Sequence, residues 1–313
     1  MMTRSECARW LESHDNFAIL THRRPDGDTI GSAAALCLVL RRLGKTAHVL
    51  DSGEVTDRFA FLLEGLFKDE AQERDTLVSV DVASPAMLPK AFAPLAERVE
   101  LRIDHHGSST SFAKLELVDA LSASCAEIIW DLLGELKVTM DKAVAEAVYV
   151  GISTDTGCFR FANTTAHTFA AAAACAQAGA EVYRMNQELF ETNTLSKLRM
   201  QSWIVGNMKI FGDGRLAIVA IPRAVEDMLG VTDDDMDNIS NFPRTVAGVC
   251  MAATLRQTKE GETKLSLRAI PGWDAAKVCE HFGGGGHKGA AGASTRLSLE
   301  EIAAKLEEIM LMQ

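Results

Sequence analysis

The 313-residue chain lacks several features, and each absence narrows its class. It has no long hydrophobic run. The longest apolar stretch, "TFAAAAACAQAGA", is mostly alanine, too short and too weakly hydrophobic to cross a bilayer. No secretory leader is legible: "MMTRSECARWLESHDNF" alternates charged and apolar residues, the pattern of an amphipathic helix. Both points predict a cytoplasmic protein with no membrane partner. Paired cysteines are missing too. Cys7, Cys37, Cys125, Cys158, Cys175, Cys250 and Cys279 include no CxxC, their number is odd, and most lie in apolar helical context. That argues against a disulfide framework and a zinc–thiolate site, and for reduced, mostly buried thiols. Positive charge is scarce, 32 basic against 43 acidic residues, a net charge of −11. Such a chain lacks the field that holds long nucleic acid as a stable partner. A small phosphate-bearing substrate stays open, provided a local site reverses the field.

What is present is an ordinary globular balance, 47% hydrophobic and 24% charged. At roughly 100–200 residues per domain the length predicts two domains, each able to bury a core. The first half alternates strand and helix. Strands are expected at 17–20, 46–51, 76–81 and 99–104, with helices at 29–44 (ending at Gly44), 57–66, 122–136 (Ser122 as cap), 141–155 (Asp141 as cap) and 164–179. This alternation implies an α/β domain, a parallel sheet with helices on both faces, over residues 1–186. Residues 187–208 read as a helical connector. Residues 209–313 read as a smaller α+β domain, with strands at 215–221, 246–258 and 263–270, a "KEGE" hairpin turn, a glycine loop and a terminal helix.

Four short stretches concentrate ionisable residues where predicted strands or helices end. "THRRPDGD" holds His22, Asp26 and Asp28; "SVDVAS" holds Asp81; "RIDHHGSS" holds Asp104, His105 and His106; "GISTDTG" holds Asp155. Taken singly, each has an ordinary reading as a turn, a cap or an incidental loop histidine. Together they lie at one edge of the predicted sheet, outside the carboxyl ends of its strands, where open parallel sheets bind ligands. Several carboxylates cannot all stay ionised in one cleft without cations. Two divalent cations resolve that conflict, and oxygen ligands with one or two imidazoles suit Mn²⁺ or Mg²⁺. The second half offers "FGGGGHKGAAG", whose backbone amides, with His287, could bind an anion. Arg268 and Arg160 are candidate phosphate partners, each equally readable as a solvated surface arginine.

The motifs "HRRPDGDTIGS", "VDVAS", "DHHGSS", "STDTGCFRF" and "GGGGHKGAAG", in this order over nearly the whole chain, resemble the DHH phosphoesterase family with its DHH-associated C-terminal domain. The resemblance implies a two-domain enzyme with its active-site cleft between the domains and a dinuclear centre in the first. One metal would take His22, Asp26 and Asp81. The other would take Asp28, Asp81, His105 and Asp155, with Asp81 bridging. Mn²⁺ is the expected ion, with Mg²⁺ or Co²⁺ as substitutes. A metal-bridging hydroxide would attack phosphorus. His106 would stand beside the scissile phosphate, with Asp104 orienting the histidines. Arg160, Arg268 and the loop Gly284, Gly285, Gly286, His287 would bind substrate.

Within the family the length resembles the branch that degrades very short oligoribonucleotides and dephosphorylates 3′-phosphoadenosine 5′-phosphate (pAp). The expected substrates are therefore pAp, dinucleotides and other short oligonucleotides, and the resemblance also allows a homodimer. Cys158 departs from the family pattern, where a less reactive residue is expected. The competing enzyme readings are a cyclic- or linear-dinucleotide phosphodiesterase of signalling and a pyrophosphatase or polyphosphatase. The non-enzyme reading is a nucleotide-binding regulator with a decayed site.

Overall fold

The computed structural model describes residues 1–107, 109–236, 239–259 and 261–311. They divide into two compact units, Met1–Thr192 and Asn193–Gln313. In the first, the order is α1 (Arg4–Ser13), β1 (Phe17–Leu20), α2 (Gly27–Arg42), β2 (Ala47–Leu50), α3 (Asp57–Ala60), β3 (Phe67–Lys68), β4 (Thr76–Val80), β5 (Leu101–Asp104), β6 (Leu115–Val118), α4 (Cys125–Glu135), α5 (Lys142–Asp155), α6 (Ala166–Gln177) and α7 (Val182–Asn186). The six strands form one all-parallel sheet in the order β3-β2-β1-β4-β5-β6.

Both faces of this sheet are buried, so its strands read as continuous apolar runs. Phe17, Ile19, Val49, Val78, Val80, Leu101 and Ile103 point into a core shared with α2, α4 and α5. Ala18, Leu20, Leu50 and Leu77 point the other way, into a smaller core with Leu88 and Phe92. The α-helices pack on the first face, so the expectation of helices on both faces is met only by 3₁₀ turns. The second face is covered by the short 3₁₀ turns Pro85–Met87 and Ala93–Arg98 and by loops. Close packing of α2, α4 and α5 depends on Gly151, where a methyl would sit 2.4 Å from the Ala126 methyl and 2.9 Å from Asp28 Oδ1.

The four expected strands of this unit form, with small shifts at their ends. The helix expected over 57–66 is shorter, passing at Phe61 into a 3₁₀ turn. Helix α4 is capped by Ser124, not by Ser122, because the Ser124 hydroxyl accepts the Glu127 N–H. The edge strands β3 and β6 were not foreseen.

The second unit runs α8 (Leu195–Asn207), β7 (Lys209–Phe211), β8 (Leu216–Ile221), α9 (Arg223–Leu229), β9 (Met251–Gln257), β10 (Thr263–Ala269), α10 (Ala275–Glu280), β11 (Gly285–Gly286), β12 (Ala290–Thr295) and α11 (Leu299–Leu311). Its mixed sheet has the order β11-β12-β10-β9-β8-β7, with β8 and β9 parallel. Helices α10 and α11 cover one face, and Met200 and Ile204 of α8 help to cover the other. Helix α8 thus belongs to this unit rather than to a free-standing connector, and the division falls inside the stretch read as connecting. β9 and β10 pair as the expected hairpin, although Glu260 of its "KEGE" turn lies outside the described residues.

Candidate active site

The strand order reverses between β1 and β4, which are neighbours although two strands intervene in sequence. Loops leaving the carboxyl ends of two such strands turn to opposite sides and open a crevice. His22 and Asp26 follow β1, and Asp81 follows β4. Asp104 ends β5, with His105 and His106 next, and Asp155 ends α5. Asp26 caps α2, its Oδ1 accepting the N–H groups of Asp28 (3.1 Å) and Thr29 (3.0 Å). Asp81 has a left-handed backbone, φ 58°, that places its side chain in the crevice. Such strain in a non-glycine residue concentrates at functional sites.

Among the described residues three overlapping groups of donor atoms result, each within 4.8 Å: His22, Asp26 and Asp81; Asp81, His105 and His106; Asp28, His105 and Asp155. The two oxygens of Asp81 face different groups. Oδ2 lies 3.7 Å from His22 Nε2, while Oδ1 lies 3.5 Å from both His105 Nε2 and His106 Nδ1. His105 Nε2 is also 3.8 Å from Asp28 and from Asp155. His22 and His105 share an arrangement. Each sets Nδ1 against a backbone carbonyl, Arg23 O at 2.8 Å and Ser122 O at 3.4 Å, and turns Nε2 toward carboxylates. That is how a histidine is oriented to give Nε2 to a metal. His106 differs, its Nδ1 paired with Asp104 Oδ1 at 2.8 Å.

The electrostatics of this centre are strained. Asp28 and Asp81 are 1% and 2% exposed. Burial pushes Asp155 up to about 7, with Asp81 and Asp26 adding to the effect of burial and His105 opposing it. Burial likewise holds Asp28 well above its ordinary range, despite His105, because Asp81 and Asp155 are close. Burial alone would lower the histidines, yet Asp26 and Asp81 push His22 up to about 9, and Asp81, Asp28 and Asp155 push His105 up to about 10. Asp26, whose side chain is exposed, is held down to about 2, with His22 outweighing the desolvation by its neighbours. The crowded carboxylates of this centre thus favour added positive charge. Asp81 Oδ1 is buried with no hydrogen-bond partner. An orphaned carboxylate oxygen, oriented imidazoles and further carboxylates, with no thiolate among them, form a donor set that fits hard divalent cations.

Partners not singled out from sequence hold this set. The buried Thr29 hydroxyl donates to Asp81 Oδ2 at 2.6 Å and lies 3.2 Å from Asp26 Oδ1. The first turn of α4 donates the Cys125 and Ala126 N–H groups to the two oxygens of Asp28, at 2.7 and 2.9 Å. Asn163 holds Asp155 through its backbone carbonyl (3.2 Å) and carboxylate (3.4 Å). A threonine inside "DGDT" carried a faint signal. Asn163 carried none.

Arg160 is exposed on the turn after α5, its Nε on Gly157 O at 2.5 Å. Cys158, on the same turn, is partly buried with φ 59°. In the second unit Arg268 is partly buried, its Nε on Asn241 Oδ1 at 2.7 Å. Burial, and then Arg244, lower its pKa. Arg244 is a neighbouring cation the sequence did not mark. Gly285 and Gly286 pair with β12, and His287 N–H donates to Ala290 O at 2.8 Å. Gly284 has a packing cause: a methyl there would lie 2.2 Å from Gly292 O. Close approach of backbone to backbone therefore accounts for this glycine without a ligand.

The model for the DHH family, N-terminal domain, matches residues 16–152, and that for the DHHA1 domain matches 219–311. The chain is 33% identical over 284 residues to the bifunctional oligoribonuclease and PAP phosphatase NrnA of Thermus thermophilus, covering 89% of this chain and 83% of that one. It is 25% identical to the protein of the same name from Bacillus subtilis, covering 93% of each. Among solved structures, an exopolyphosphatase-related protein from Bacteroides fragilis superposes with a TM-score of 0.90 at 23% identity, over 99% of this chain and 95% of that one. RecJ from Thermus thermophilus, in complex with Mn²⁺, superposes at 0.56 and 13% identity, over 99% and 55%. These two structures are alike in fold.

Proposed function

The chain belongs to the DHH phosphoesterase family, and we propose that it hydrolyses phosphate esters of pAp and very short oligoribonucleotides at the Asp81 crevice. The observation that carries this reading is the Asp81 carboxylate, shared by two donor groups and holding one buried oxygen without a hydrogen bond. We assign His22, Asp26 and Asp81 to one divalent cation, and Asp28, Asp81, His105 and Asp155 to a second, Mn²⁺ before Mg²⁺ or Co²⁺. Cations bound there supply Lewis acidity and make water a nucleophile at neutral pH. The residues do the rest. Thr29 and the first turn of α4 hold the carboxylates in place. His106, with Nδ1 committed to Asp104, has Nε2 as the atom that donates to a phosphate oxygen or to the leaving group.

The substrate class rests on the relatives named for oligoribonuclease and PAP phosphatase activity, and on the chain's net charge of −11, which suits short substrates. Arg160, Arg268 and the 284–287 loop are assigned to phosphate or base binding. The test is product analysis with Mn²⁺ on pAp, pGpG, pApA, a five-nucleotide RNA, cyclic-di-AMP and pyrophosphate. Turnover of pAp and the short RNAs is expected. No turnover of any of the six would overturn the reading, and preference for cyclic-di-AMP or pyrophosphate would redirect it.

A further inference from the structure

Arginine is an unusual residue for the middle of a central strand. Arg102 stands in β5 two residues before Asp104, so both side chains project from the same face of the sheet. The opposite face of β5 carries Leu101 and Ile103 into the main core. Arg102 is only 2% exposed and is the largest fully buried side chain among the described residues. Burying a guanidinium is costly unless it is paired and hydrogen-bonded.

Its partners show where it acts. Nη1 donates to Ala83 O and Thr110 O, both at 3.3 Å, and stands 3.5 Å from Asp104 Oδ2. Nη2 donates to Ser109 Oγ at 3.1 Å and Glu116 Oε2 at 3.2 Å. The Phe112 ring lies against the guanidinium, 5.5 Å to its centroid. One side chain therefore ties the loop after β4, two residues past Asp81, to the loop that carries His105 and His106. Asp104 is fully buried. Its Oδ1 accepts the N–H groups of His105 (2.8 Å) and His106 (3.2 Å) and His106 Nδ1–H (2.8 Å). Its Oδ2 is buried without a hydrogen bond and faces Arg102.

We propose that Arg102 is a positioning residue for catalysis: its buried guanidinium fixes Asp104, and through Asp104 the ring of His106. Arg102 touches no reacting atom. It holds the Asp104 carboxylate so that Oδ1 meets His106 Nδ1, and the orientation of the ring follows from that bond. The proposal rests on the assignment of His106 to the substrate phosphate.

The test uses the full chain and the variants Arg102→Lys, Arg102→Met and His106→Ala. Lysine keeps the charge but not the fork, so it separates positioning from mere folding, and thermal melts check that each variant is folded. The first readout needs no turnover. In metal-free protein with ¹⁵N-labelled histidine, wild type should show a slowly exchanging Nδ1–H proton that His106→Ala removes and that Arg102→Lys loses or broadens. An unchanged signal in folded Arg102→Lys overturns the proposal, whether or not the wild type turns over pAp.

The second readout is a double-mutant cycle on pAp turnover. Arg102→Lys should lower kcat about 10–100-fold with KM little changed. In the His106→Ala background the same substitution should cost less than about 2-fold. Equal losses in both backgrounds would reduce Arg102 to a structural strut and overturn its catalytic role. A wild type inactive on every substrate would instead sink the functional reading, with the ring signal still deciding the role of Arg102.

Discussion

Two buried carboxylate environments in this molecule make an instructive pair. In the second unit Glu226, 1% exposed, meets Arg223 Nη1 and Arg256 Nη2, each at 3.0 Å, and Arg256 Nε as well. Its charge is balanced inside the protein. In the first unit Asp28, Asp81 and Asp155 meet only histidines and neutral donors, and one buried oxygen of Asp81 has no hydrogen-bond partner. A chain able to place arginines around one buried carboxylate has not done so around the others. The balanced site is built for the fold, whereas the unbalanced one is built to take positive charge from outside.

The largest effect that could break this contrast is Asp81→Asn. Turnover should fall on the order of 10³-fold or more. The metal-free protein should melt within a few degrees of wild type, because relief of repulsion among the carboxylates offsets the lost pairs with His22 and His105. A clear drop in melting temperature would mean that Asp81 is structural after all. The mirror experiment is Glu226→Ala, expected to cost about 1.5–3 kcal/mol of stability because Arg223 and Arg256 lose their shared buried partner while keeping Asp227 and Asp233. Mn²⁺ affinity, read by calorimetry, should not change.

Next in size is the cation itself. Mn²⁺ at about a hundred times its Kd should stabilise the wild type by about 2.7 kcal/mol. At one fixed Mn²⁺ concentration the effect should grow as pH rises from 6 to 8. The sign follows from the histidines. In the cation-free fold, His22 and His105 are raised to about 9 and about 10, so their ion pairs stabilise below the ordinary histidine range and lose that contribution as pH climbs through those values. Mn²⁺ must displace those protons, so acid weakens it. Stabilisation that is flat with pH would contradict this. The smallest expected effect is Thr29→Val, which removes the hydroxyl behind Asp81 and should weaken Mn²⁺ binding about 10-fold with little change in fold.

The same contrast separates what could be read in sequence from what could not. Strands β1, β4 and β5 were legible because a strand buried on both faces is a continuous apolar run. β3 has two residues, and β6 is an edge strand whose Leu115 is exposed, so neither carries that signal. The clustered acids and histidines were legible because they sit at strand ends, where a parallel sheet gathers its loops. The residues that hold them were not. Asn163 and Arg102 work through partners that topology alone brings near, and an arginine in a buried strand reads as an anomaly until its carbonyls and carboxylates are seen. The glycine run was ambiguous in a different way. The cause of Gly284 is the backbone of β12, and the sequence cannot distinguish that from a ligand.

The reversal of strand order at β1 and β4 also governs when the centre can exist. During synthesis His22, Asp26 and Asp28 emerge early, but β4 is made after β2 and β3 and must pair with the other side of β1 before Asp81 joins them. Asp28 acquires its two backbone donors only when the first turn of α4 forms, and Asp155 arrives last, at the end of α5. A nascent chain therefore offers scattered carboxylates and no chelating cage. Cation capture at the proposed ligands would then be a property of the finished first unit, and metal uptake would report that its folding is complete.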